Sequence, residues 1–196
     1  MCGIVGYLGP REAVPILLKG LQRLEYRGYD SAGISILTPE GVLSTVKRPG
    51  KIAILEEALE GVPTSSHCGI AHTRWATHGP PNQPNAHPHE SMAGDIALVH
   101  NGIIENAQFL KKRLEGLGYV FESDTDTEVV VHLIDEAFKE NPALEDAVAS
   151  ALLQVEGAYG IAVVSSRDPN KIVAARHGSP LLLGIGKDGE YLVGSD

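Results

Sequence analysis

Cys2, Arg74, the pair Asn101-Gly102 and the acidic run Asp124-Thr125-Asp126-Thr127-Glu128 are the residues of this chain whose types and settings suit acyl-transfer chemistry. Removal of Met1 would leave a thiol and a free α-amine together on Cys2. An α-amine has a reference pKa of about 7.7–8.0, against roughly 10.4 for a lysine, so it accepts a proton near neutrality. Nucleophile and base would then share one residue, as in enzymes whose terminal threonine is activated by its own amine. The run Cys2-Gly3-Ile4-Val5-Gly6-Tyr7-Leu8 reads equally well as a buried first strand, and the rest of the chain has to decide between the two.

Residues 71–79 place the sole tryptophan, Trp75, beside Arg74, Thr77 and His78. The planar guanidinium suits a carboxylate, and Thr77 or His78 would add donors to the same anion. The simpler alternative is a strand end with Trp75 in the core and Arg74 exposed. In His100-Asn101-Gly102, a side-chain amide and a backbone N–H could converge on one developing oxyanion. The same Asn-Gly pair is also the strongest local turn signal in the chain. Asp126 would point a carboxylate at a ligand ammonium, or else form part of an acidic first helical turn favoured by the helix dipole.

Other chemistries fit less well. Cys68, His72, His78, His87, His89 and His100 are close in sequence, yet none of their spacings is a zinc-finger or HExxH pattern. The 124–128 run lacks the glycine-centred loop of a calcium site. No glycine-rich phosphate motif follows the first strand, and Gly184-Ile185-Gly186-Lys187 reads as a turn.

The elements that must position these residues alternate in period. A strand over 2–8 and a Gly9-Pro10 turn lead into a helix over 11–25, with Val14, Leu17, Leu18, Leu21 and Leu24 on one face and Pro15 in its first turn. Residues 33–38 and 42–47 predict a hairpin about Pro39-Glu40-Gly41. A weak helix over 51–60, a short strand over 68–72 and a Pro/Gly-rich loop from 77 to 90 follow. Strand 96–100 then ends in the Asn101-Gly102 turn. Helices are expected over 106–117, 126–139 and 143–155, with Leu110, Leu114 and Leu117 on the apolar face of the first and a Thr125/Glu128 capping box on the second. Strands return at 159–165, 171–176, 181–185 and 190–193. Short-turn strands on either side of a helical block predict antiparallel sheets in one α+β domain. The end at Gly194-Ser195-Asp196, directly after a strand, reads as cut within that domain.

Composition sets outer limits. The 196 residues are 43% hydrophobic, enough for a substantial core. A formal charge of −9 without a lysine- or arginine-rich run argues against a nucleic-acid or anionic-membrane surface. Two cysteines are too few for a disulfide framework, though the pair could form one bridge, and there is neither a signal-peptide pattern nor a long apolar span. A cytoplasmic protein is expected.

Taken together, Cys2-Gly3-Ile4-Val5-Gly6, residues 24–33 (LEYRGYDSAG), residues 72–79 (HTRWATHG), residues 100–106 (HNGIIEN) and residues 123–128 (SDTDTE) resemble the glutaminase domains of the glutamine-fructose-6-phosphate aminotransferase (glucosamine-6-phosphate synthase) family. These are type II glutamine amidotransferases, within the N-terminal-nucleophile hydrolases. The resemblance spans essentially the whole chain. It implies a four-layer α/β/β/α sandwich of two antiparallel sheets over residues 1–196, with no cofactor and no metal. Sugar-isomerase domains would follow in a homodimeric parent protein.

The resemblance also implies roles. Cys2 would be the nucleophile and its own amine the base, with Asn101 and the Gly102 N–H forming the oxyanion hole. Arg74 would take the glutamine α-carboxylate, Thr77 and His78 would stand nearby, and Asp126 would take the α-ammonium. Arg27 would help to position the terminus, Trp75 would belong to a mobile wall, and His87 would lie near the glutamine loop. The implied reaction is hydrolysis of L-glutamine, its ammonia serving in the parent to convert fructose 6-phosphate to glucosamine 6-phosphate. The alternatives are the glutaminase half of another type II amidotransferase, such as amidophosphoribosyltransferase, and a glutamine-binding module without turnover.

Overall fold

The computed structural model describes residues 2–196. Strand β1 (Gly3–Leu8) is followed by α1 (Ala13–Leu24), which buries Val14, Leu17, Leu21 and Leu24 on one face. Pro15 lies in its first turn, where its missing N–H breaks no helical hydrogen bond. The expected hairpin forms from β2 (Ser31–Leu37) and β3 (Leu43–Pro49). Next come α2 (Ile52–Leu59), β4 (Cys68–Arg74), the two-residue β5 (His89–Glu90) inside the expected loop, and β6 (Ile96–Ile104). Helices α3 (Ala107–Gly116), α4 (Asp126–Phe138) and α5 (Leu144–Leu152) precede β7 (Gly157–Ser165), β8 (Val173–His177), β9 (Leu182–Ile185) and β10 (Tyr191–Gly194).

The strands form two antiparallel sheets, in the orders β3-β2-β4-β1-β10-β9 and β5-β6-β7-β8. Three apolar clusters bind the layers. One packs α1 and α2 on the larger sheet through Leu17, Leu21, Leu55 and Ile34. A second packs α3, α4 and α5 on the smaller sheet through Leu114, Val130, Ile134 and Leu98. Between the sheets lie Ile4, Cys68, Ile70, Ala97, Val99, Ala162 and Val164. The layer order is therefore the expected α/β/β/α.

Side chains alternate across a strand, so residues two apart share a face. Cys2 thus continues the inner face of Ile4, His72 and Arg74 that of Cys68 and Ile70, and Asn101 that of Ala97 and Val99. Each inner face is apolar in its middle and polar at one end. The sandwich core fixes these polar ends relative to one another, because β1 and β4 pack against β6 across it.

Three local expectations are corrected. Asn101-Gly102 is no turn: β6 runs through it to Ile104, pairing Asn101 with Gly160 and Gly102 with Tyr159 on β7. A long-range partner strand has overridden the local turn preference. The capping box does not form either, since Thr125 makes no cap hydrogen bond to α4. Glu128 turns back to the preceding loop, accepting from the Glu122 and Ser123 N–H groups at 2.8 Å each, and Thr125 Oγ1 meets His89 Nε2 at 3.0 Å. Leu117 is exposed, one residue beyond the end of α3.

Candidate active site

A cavity of about 500 Å³ opens at the polar end of the inter-sheet layer. Cys2 reaches it from the start of β1, Arg74 from the end of β4, Asn101 and Gly102 from β6, and Asp126 from the first turn of α4. Arg27, from a 3-10 turn after α1, and Trp75, Thr77, His78 and His87, from the long loop after β4, complete the ten residues singled out above. All ten line one space. Met1, whose removal would free the Cys2 amine, lies outside the described residues.

Cys2 is held on several sides. Its Sγ accepts the Trp75 N–H at 3.2 Å, and its carbonyl oxygen accepts from Arg27 Nη1 and Asn101 Nδ2, each at 3.2 Å. Burial raises the thiol pKa, opposed by the Trp75 N–H and by the positive charge of Arg74. The thiol is therefore protonated at neutrality and needs a base to become a nucleophile. Cys68, deep in the inter-sheet layer, is pushed by burial up to about 12. It packs among the apolar side chains of that layer.

Arg74 is only 4% exposed. One guanidinium nitrogen, Nη2, donates to the His78 carbonyl, while Nη1 is buried without a hydrogen-bond partner among the described residues. A buried cationic donor left unpaired is costly unless an anion arrives to meet it. Thr77 Oγ1 and His78 Nδ1 lie 3.3 Å apart at the same rim. Trp75 is not a core residue, being 54% exposed. Its ring covers Gly28, whose φ of 74° suits glycine and whose missing Cβ leaves the ring its place: a Cβ there would stand 2.9 Å from Trp75 Cζ3. Across the cavity, one Asp126 carboxylate oxygen is tied to the Ile104 N–H and the other is not so engaged.

His87 stacks on His72 with ring centroids 4.2 Å apart and meets His89 edge-on at 4.8 Å. Burial above all holds His72 down to about 3 and puts His87 and His89 well below the ordinary histidine range. All three are neutral imidazoles at physiological pH. Among the described residues, no group of three His, Cys, Asp or Glu side chains is arranged to hold a metal ion.

The sequence reading missed Thr125, Thr127, Ser179 and Pro180, and it gave His100 no role in the site. His100 faces the helix side of β6, where its Nδ1 meets Thr127 Oγ1 at 2.9 Å. Thr127 lay in a motif already singled out, whereas Ser179-Pro180 follow β8 and carry no recognisable signal.

Residues 72–196 match the family profile described as "Glutamine amidotransferase domain". The chain belongs to the glutamine amidotransferase family. Over its full length this amidotransferase domain is 60% identical to the glutamine-fructose-6-phosphate aminotransferase (isomerizing) of Chlorobaculum tepidum and 55% identical to that of Thermus thermophilus. It spans 32% of the length of each, about a third of the curated relatives it matches. Among solved structures, it superposes on the glutamine phosphoribosylpyrophosphate amidotransferase of B. subtilis with a TM-score of 0.83 at 31% identity, covering 99% of this chain and 42% of that one. A class-II glutamine aminotransferase domain protein from Silicibacter pomeroyi shares the fold, with a TM-score of 0.65 at 16% identity, covering 98% and 88% of the two chains. Among the described residues, no helix of the amidotransferase domain is long and apolar enough to cross a membrane.

Proposed function

We propose that this domain hydrolyses L-glutamine to glutamate and ammonia, with Cys2 as nucleophile once Met1 is removed. The observation that carries this reading is the convergence on one cavity of the Cys2 thiol, the Asn101 amide, the Asp126 carboxylate and Arg74 Nη1, which has no hydrogen-bond partner among the described residues. Arg74, aided by Thr77 and His78, takes the glutamine α-carboxylate, and Asp126 takes the α-ammonium. These two grips direct the side-chain amide toward Cys2. Arg27 holds the Cys2 carbonyl, Trp75 and His87 wall the pocket, and no metal or cofactor takes part.

The Cys2 α-amine accepts the thiol proton as sulfur bonds to the amide carbon. The resulting oxyanion is stabilised by Asn101 Nδ2 and the Gly102 N–H. Return of the proton to the nitrogen breaks the C–N bond, releasing ammonia and leaving a γ-glutamyl thioester. Water, deprotonated by the same amine, then attacks the thioester to give glutamate and restore the thiol.

In the longer protein, we assign the ammonia to amination of fructose 6-phosphate, carried out by sugar-isomerase domains of a cytoplasmic homodimer. Identities of 60 and 55% to aminotransferases acting on that sugar phosphate, against 31% to the phosphoribosylpyrophosphate enzyme, favour this acceptor. Both cysteines are free, as suits the cytoplasm. The domain itself, residues 1–196, is tested by incubating the Met1-free chain with glutamine. Equal amounts of glutamate and ammonia are expected, and none from Cys2→Ala; undiminished release by that variant overturns the reading. The longer protein is tested by supplying either fructose 6-phosphate or phosphoribosyl pyrophosphate, with amination expected only of the sugar monophosphate.

A further inference from the structure

His72 lies on the inner face of β4 between Ile70 and Arg74 and is fully buried. Its Nε2 stands 2.9 Å from Asn101 Oδ1 across the gap between the sheets, while Asn101 Nδ2 stands 3.2 Å from the Cys2 carbonyl oxygen. Together the two contacts select one orientation of the carboxamide. Turning it over would set Oδ1 against the Cys2 carbonyl, two acceptors with no proton between them. In the orientation present, Oδ1 requires a donor, and His72 Nε2 meets it. The other imidazole tautomer would bring two lone pairs together at the same 2.9 Å. Burial keeps the ring neutral, so its single proton belongs on Nε2. The His87 ring, stacked at 4.2 Å and inclined by only 16°, supports the plane of the His72 ring.

We propose that His72 is a positioning residue, whose Nε2–H holds the Asn101 side-chain oxygen and thereby aims the amide nitrogen at Cys2 and at the oxyanion formed there. Asn101 Nδ2 carries two hydrogens. One is engaged by the Cys2 carbonyl, and the second is left for the tetrahedral oxygen. His72 touches neither substrate nor nucleophile and acts wholly through Asn101, so the inference rests on the oxyanion role proposed above for that residue.

A double-mutant cycle on the Met1-free chain tests it. His72→Phe keeps a flat ring over His87 and removes the donor. With Asn101 present, kcat is expected to fall about tenfold with little change in glutamine Kd, the scale of one lost hydrogen bond. In the Asn101→Ala background, the same substitution is expected to change kcat less than about twofold, since no amide remains to be aimed. His72→Gln, which can still present an N–H, is expected to keep kcat within about threefold of the parent. An equal loss in both backgrounds, no loss with Asn101 present, or a His72→Gln defect as deep as that of His72→Phe overturns the proposal. Thermal midpoints identify any variant that fails to fold, and in that case His72→Leu replaces His72→Phe with the same outcomes deciding. A parent chain that releases no ammonia refutes the glutaminase reading and this inference with it, whereas an active parent with an additive cycle refutes this inference alone.

Discussion

The Asp126 carboxylate accepts the Ile104 N–H at 2.7 Å, joining the first turn of α4 to the last residue of β6. The same side chain lines the cavity, so it serves the fold with one oxygen and can serve a ligand with the other. Asp126→Asn separates the two tasks. The asparagine oxygen still accepts from Ile104, but the negative charge is gone. Glutamine Kd is expected to rise about 10- to 100-fold, as for a hydrogen bond to a charged group, with little change in thermal midpoint. Unchanged affinity would remove Asp126 from ammonium binding.

Arg74→Lys keeps a charge at the end of β4 but cannot span the His78 carbonyl and a ligand carboxylate with one planar group. Glutamine Kd is expected to rise at least about tenfold while folding survives. Titration calorimetry of the lysine variant measures this directly, and parental affinity would exclude a two-point grip.

The two cysteines should react very differently. Cys2 is half-buried and borders the cavity, whereas Cys68 is 3% exposed and held at a pKa of about 12. A glutamine-derived electrophile should label Cys2 once per chain and leave Cys68 untouched. Peptide mapping checks this, and label on Cys68 would contradict the assignment.

Asn101→Ala is expected to lower kcat by about 10²–10³-fold, the scale found when one oxyanion donor is lost. Glutamine Kd should move far less, because the amide oxygen gains most of its charge only in the transition state. A stable, glutamine-binding variant with full kcat would leave the Gly102 N–H as the remaining candidate donor.

Glu128 governs a pH dependence of stability. Its burial raises the carboxyl pKa, but the nearby His132 imidazole at 3.6 Å and hydrogen bonds from the Ser123 hydroxyl and the Glu122 and Ser123 N–H groups outweigh that and bring it from 4.5 down to about 2. A folded-state pKa below the unfolded value contributes stability at pH above 4.5, which is lost as pH falls through about 2. Glu128→Gln should therefore melt below the parent near neutrality, with the gap closing between those two limits. Thermal scans across the acid range measure it, and a gap independent of pH would mean that charge is not the stabilising feature.

Much of the site was legible before any fold was known, because its residues carry local signatures. Cys2 beside a glycine, the 72–79 run and the 123–128 run could be singled out by side-chain type and near neighbours, while their roles were implied only by the family resemblance. Antiparallel sheets in one α+β domain were legible too, from helical periods set between short-turn strands, whereas the α/β/β/α layering was implied only by the family resemblance. What the tertiary structure decided involves partners distant in sequence. Asn101-Gly102 has a strong local preference to turn, yet β7, more than fifty residues later, supplies a strand that pairs with it. Glu128 satisfies every local condition for a capping box and instead binds the loop before its helix. His72 looked like one more candidate metal ligand until the packing of the two sheets set it against Asn101. Periodicity and turn preference act within a few residues and can be read along the chain. Which polar end of which strand meets another is determined by burial of the inter-sheet layer, a property of the whole fold that no local window contains.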